Sequence, residues 1–97
     1  MGSFKFVDLK NAYKDEATYP GAVFTVPNDF NLHHLFILYG NDGKTYGIII
    51  VSASSNTLNE IDLYNKWSEW GGGKITINGL KITISTSFGG FVKHYTF

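Results

Sequence analysis

The apolar positions of this chain keep one period over its first half and a different one after residue 57. Residues 22–26 (AVFTV), 32–39 (LHHLFILY) and 44–53 (KTYGIIIVSA) are rich in β-branched and aromatic side chains, the content expected of strands. GNDG at 40–43 supplies residues suited to positive φ, so the second and third segments are predicted to form a hairpin. Tyr19-Pro20-Gly21 and Pro27-Asn28-Asp29 read as turns on either side of the first. From Gly47 to Val51 the chain is apolar at every position, which predicts a central strand buried on both faces. One of those faces is expected to meet a helix. The other needs the N-terminal segment, a second sheet layer or another molecule.

Beyond residue 57 the spacing lengthens. Leu58, Ile61, Tyr64, Trp67 and Trp70 recur every third residue, Leu63 broadens the stripe, and Asn59, Asp62, Asn65, Lys66 and Glu69 fill other positions. Thr57-x-x-Glu60 matches a capping box and Gly71-Gly72-Gly73 a stop. The spacing predicts an amphipathic helix over about 58–70.

KITINGLKITIS (74–85) then returns to strict alternation around Asn78-Gly79, the preferred type I′ pair. A turn at 78–79 would place Ile77 opposite Leu80, Ile75 opposite Ile82, Thr76 opposite Lys81 and Lys74 opposite Thr83, with one face aliphatic and the other polar. FGG at 88–90 turns the chain, and FVKHYTF (91–97) reads as a last strand. At the N-terminus 3–7 suits a short strand. Leu9, Ala12, Tyr13 and Ala17 follow helical spacing with Asp8 as a cap, which leaves 8–19 open between helix and loop. The expected fold is a single α+β domain over 1–97: a mostly antiparallel sheet of about six to seven short strands with the helix packed on one face.

Composition narrows the function. A chain of 97 residues buries only about 60–70% of its unfolded surface, and 43% hydrophobic with 16% aromatic residues supply the dense core this requires. There is no cysteine, which removes disulfides and thiolate metal sites. All eight basic residues are lysines, balanced by eight acids, so arginine readout of bases is impossible and direct nucleic-acid binding is disfavoured. Glutamine and arginine are absent while Lys, Asn, Ile, Phe and Tyr abound, the bias of a low-GC genome such as a low-GC bacterium or its phage. MGSFKFVDLK lacks the apolar core of a signal peptide, and no run approaches the ~18 residues of a membrane span, so a cytoplasmic protein is expected.

The candidate chemistry is sparse. Gly43-Lys44-Thr45 resembles the end of a phosphate-binding loop, but Leu38 stands where that loop needs glycine, and a strand follows in place of a helix. His33 and His34 are adjacent on a strand and point to opposite faces, so they do not chelate one ion; His94 can join either after folding, with Asp29 and Asp62 as the available carboxylates. The expectation is one packed and one surface histidine, with no metal and no cofactor. Ser54, His34 and Asp62 form a nominal triad without a nucleophile motif, and Asp15-Glu16 reads as a solvated charge pair. No enzyme is expected.

What remains are the aromatics. Tyr64 and Trp67 belong to the apolar stripe, and Trp70 at its end is the candidate contact residue. The expected function is that of a small non-catalytic binding protein acting stoichiometrically on a host protein, in the manner of a phage or mobile-element inhibitor of an anti-defence or anti-CRISPR kind. Trp70, Tyr64, Lys66, His94 and Tyr95 would make the contact, and 91–97 would offer a sheet edge. The alternatives are a nucleotide- or sugar-binding protein, with Lys44, Lys66, Lys74 and Lys81 around Trp70, and a structural homo-oligomer or particle component.

Overall fold

A computed structural model of the chain describes residues 12–19, 21–65, 74–85 and 89–97. Among them are eight strands and no helix: β1 (Tyr13–Tyr19), β2 (Ala22–Thr25), β3 (His33–Gly40), β4 (Thr45–Ser54), β5 (Thr57–Asn65), β6 (Lys74–Asn78), β7 (Lys81–Ser85) and β8 (Gly90–Thr96). They form two antiparallel sheets, β1-β8-β3-β4-β5 and β2-β7-β6. The expected α+β class is therefore corrected to all-β.

The expected hairpin at 40–43 is present. β3 and β4 pair from His33↔Ser52 to Tyr39↔Thr45, and the turn closes through Gly43 N–H to Gly40 C=O and Gly40 N–H to Lys44 C=O, both 2.9 Å. Gly43 has φ +80°, the left-handed value that favours glycine. β4 lies between β3 and β5 and presents Gly47, Ile49, Val51 and Ala53 to the interior. Across from them the smaller sheet contributes Ala22, Phe24, Ile82 and Ile84, with Val26 just beyond β2, so a second sheet takes the place expected for the helix.

The predicted helix fails for a local reason that tertiary pairing enforces. Ser55 (φ 53°) and Asn56 (φ 62°) both take left-handed conformations, as a type I′ turn requires, and reverse the chain onto β4. Ser54 then pairs with Thr57 and Ala53 with Leu58, so Thr57 starts a strand and caps nothing. A register shift lies where Ile50 pairs with Asp62 and Val51 with Glu60. That bulge leaves Ile61 as an unpaired position and breaks the period of two: position 58 stands opposite Ala53 and position 63 opposite Ile49, both inward on β4, so positions five apart share a face. The part of the predicted helix over 66–70, and the glycine stop at 71–73, lie outside the described residues.

Two smaller corrections follow. Tyr13–Tyr19 is a strand, neither helix nor loop. In the β6–β7 hairpin Asn78 pairs with Lys81, Ile77 with Ile82 and Ile75 with Ile84, so Gly79 and Leu80 make the turn. Only Gly79 has positive φ (62°), the type II′ pattern. Tertiary bonds hold this choice: Leu58 N–H donates to Gly79 C=O (3.1 Å) and Val26 N–H to Leu80 C=O (2.9 Å). Because the pairing moves by two residues, the four isoleucines still share a face. The segment expected at 3–7 lies outside the described residues.

Candidate functional site

Strand parity decides which side chains meet. On β3, His34, Phe36 and Leu38 face the second sheet, while His33, Leu35, Ile37 and Tyr39 face outward and are half-buried. On β8, Val92 and His94 face inward. Phe36 pairs with His94 across the ladder, and their rings stack at 4.6 Å with an 11° tilt. Phe24 of the second sheet meets His94 edge-on at 5.5 Å. The two inward histidines lie beside each other, rings 5.1 Å apart, with His34 Nδ1 2.9 Å from His94 Nε2.

β1 completes the set by means of a bulge. Its register to β8 shifts between Tyr13 and Asp15, with Tyr13↔Tyr95 and Asp15↔His94. Residues two apart on a regular strand share a face; the bulge sends Tyr13 to the outer face against Tyr95 (5.6 Å, edge-on) and Asp15 to the inner histidine. Asp15 Oδ1 lies 2.8 Å from His94 Nδ1.

This geometry fixes the tautomers. An ionised carboxylate only accepts, so His94 carries its hydrogen on Nδ1 and donates it to Asp15. His94 Nε2 is then an acceptor, and His34 donates to it from Nδ1. His34 Nε2 is left as a buried lone pair with no hydrogen-bond partner among the described residues, and His34 itself is only 1% exposed. An unpaired buried acceptor costs about 1–3 kcal/mol.

Burial makes both histidines hard to protonate. It pushes His34 down to about 4, helped by the neighbouring His94, His33 and Lys14 and opposed by Asp29. His94 is also lowered by burial, while its bond and charge interaction with Asp15 pull the other way. Both rings are therefore neutral at pH 7.

The outer face of the larger sheet has a different character. Leu35 lies opposite Ile50 and Ile37 opposite Ile48 on one side; Leu35 meets Tyr95 and Tyr39 meets Phe91 on the other. Tyr39 and Phe91 stack at 5.0 Å, and Lys93 Nζ sits 5.7 Å and 5.8 Å from their ring centres. The Tyr39 phenol hydrogen-bonds to Tyr95 and is raised by burial. His33 stacks on Phe97 at 5.2 Å. Leu35, Ile37, Ile48, Ile50 and Phe91 are half-buried, whereas Phe36, Leu38, Ile49, Val51 and Val92 on the inner face are buried.

The residues expected to make contact are dispersed. His94 is 6% exposed on the inner face and Tyr95 8% on the outer, so neither presents its side chain to solvent. β8 is not an edge strand; it lies between β1 and β3, and among the described residues the edges of its sheet are β1 and β5. Tyr64 falls in β5 in register with Ile48. Lys66, Trp67 and Trp70 lie outside the described residues. Ser54 is exposed at the turn into β5, and the partner that folding gives His34 is His94. Among the described residues no three His, Asp or Glu side chains group to hold a metal. Asp15 is exposed, as expected of a solvated charge pair, and in addition accepts a hydrogen bond from the buried His94, which strand spacing does not indicate. The parity of His34 with Phe36 and Leu38, and of His94 with Val92, was the available signal for the histidine pair.

Comparison of the chain with protein-family models, with curated proteins and with solved structures finds no match in any of the three.

Proposed function

We propose that this is a small non-catalytic, cytoplasmic binding protein that acts stoichiometrically through a protein–protein interface, and that the interface is the outer face of the five-stranded sheet. The observation that supports this reading is the row of half-buried Leu35, Ile37, Tyr39, Ile48, Ile50 and Phe91 on the face opposite the core. Antiparallel sheets with one solvated face normally alternate apolar with polar residues, and β3 and β4 depart from that alternation at their centres. Aromatic and aliphatic side chains in contact, with Lys93, Glu16 and Ser52 around them, match the composition of an interface core and rim.

The dimensions are adequate. Five strands at about 4.8 Å spacing and about 3.3 Å per residue over the length of β8 cover roughly 550 Å², most of the ~800 Å² that one side of a standard interface needs. The composition favours a low-GC host, and blocking a working surface of a host protein is the action such a face supports.

The test is photo-crosslinking in a lysate of a low-GC bacterium, with a benzophenone amino acid at Tyr39 or at Val23. Val23 is 49% exposed on the smaller sheet and serves as the control. A discrete protein joined from position 39 and not from 23 supports the reading. Equal labelling from both, or none, sinks it, and a product joining two copies of the chain transfers the face to self-assembly.

A further inference from the structure

Going beyond that reading, we propose that Asp15, His94 and His34 form a proton-operated clip that fastens strand β1, the last in its sheet among the described residues, at neutral pH and releases it in acid.

Few side chains hold β1. Tyr13, Lys14, Asp15, Glu16 and Thr18 are exposed, and among its described side chains Ala17 is the one packed on the buried core. Its other anchors among the described residues are the backbone ladder to β8, the edge contact of Tyr13 with Tyr95, and the bond from His94 to Asp15. The last of these joins β1 to the interior through two further rings, so any change in the histidine pair is felt at the strand.

The pair has three protonation states with different consequences. With no added proton, each histidine carries one N–H and the chain runs from His34 to His94 to Asp15. One added proton is accommodated: it resides on His34 Nε2, the Nδ1 proton of His34 passes to His94 Nε2, and the cation lies on His94 beside the Asp15 carboxylate. Every bond in the chain survives, now running from His94 in both directions. On the two rings a second proton has no place. Both facing nitrogens then carry hydrogen at a separation of 2.9 Å, and two cations share a buried site.

The surroundings direct the relief toward β1. Phe36 on β3 and Phe24 on β2 clamp the His94 ring and offer no charge. Among the described residues, the charged or titratable groups that act on the pair are Asp15 and Lys14 from β1, His33 from β3 and Asp29 from the β2–β3 connection. Asp15 is the group that joins solvent to the rings, with its side chain 60% exposed while that of His94 is 8% exposed. Lifting β1 admits water past Asp15 to the cations and leaves the two-sheet core in place.

Hydrogen exchange of the wild-type chain, compared at about pH 7 and about pH 4 and corrected for intrinsic rates, tests this directly. The expected result is loss of protection in β1 at about pH 4, to within about tenfold of an unfolded chain, while β3 and β4 stay protected, with full recovery on neutralisation. The proposal is overturned by protection of β1 that persists at about pH 4, or that disappears only together with β3 and β4. A second arm uses His34→Gln, whose amide can donate to or accept from His94 and does not titrate. In that variant β1 remains protected at about pH 4; release as in wild type overturns the proposal. Should the variant not fold, the wild-type comparison decides.

Discussion

The buried histidine pair makes stability depend on pH, and the size follows from His34. Its folded value of about 4 lies below the ordinary 6.5, so below 6.5 the unfolded chain binds more protons than the folded one. Stability from this group is fully present above about 6.5 and is lost as the pH falls toward about 4. Integrated to about pH 4, the loss is about 3 kcal/mol, against a total of roughly 5–15 kcal/mol for a small domain. His94 adds a loss of the same sign. The assay is urea unfolding followed by tryptophan fluorescence at several pH values between about 7.5 and about 4. With a slope of about 1–3 kcal/mol per molar urea, the midpoint falls by roughly 1–3 M across that range. Surface carboxylates also contribute to acid loss, so His34→Gln is the control that isolates the pair, and its midpoint falls less steeply than that of the wild type. Equal slopes for wild type and variant, or a wild-type midpoint that is flat or rises toward acid, would refute the reasoning.

Three other outcomes are expected. Nitrogen-15 NMR at neutral pH shows His34 and His94 both protonated on Nδ1; a hydrogen on Nε2 of either ring contradicts the hydrogen-bond chain. Ile49→Ala, at a position with no exposed surface between the sheets, costs about 2–5 kcal/mol by urea unfolding, and a cost below about 1 kcal/mol would mean that the site is not packed as described. Replacing Ser55-Asn56 by Asn-Gly raises the melting midpoint, by roughly 0.5–1 kcal/mol in stability, because both positions have φ near +60°. A helix starting at Thr57 would gain nothing from that change, so an unchanged or lower midpoint counts against the β4–β5 hairpin.

What the sequence alone determined is local. The β-branched runs of β2, β3 and β4, the GNDG turn and the alternation of 91–97 each follow from contacts between near neighbours, and they appear where they were expected. The opposite facing of His33 and His34 follows from strand geometry in the same way. Tertiary structure decided everything that depended on a partner. The bulge of β5 breaks its period of two, and only pairing with β4 reveals the register. The β6–β7 turn moved one residue onward, to Gly79-Leu80, where the carbonyls of those residues accept hydrogen bonds from Leu58 and Val26. The Asp15–His94–His34 chain joins groups 79 and 60 positions apart in sequence. No local spacing encodes such a contact, because it forms only when the strand order β1-β8-β3 brings three separate segments side by side.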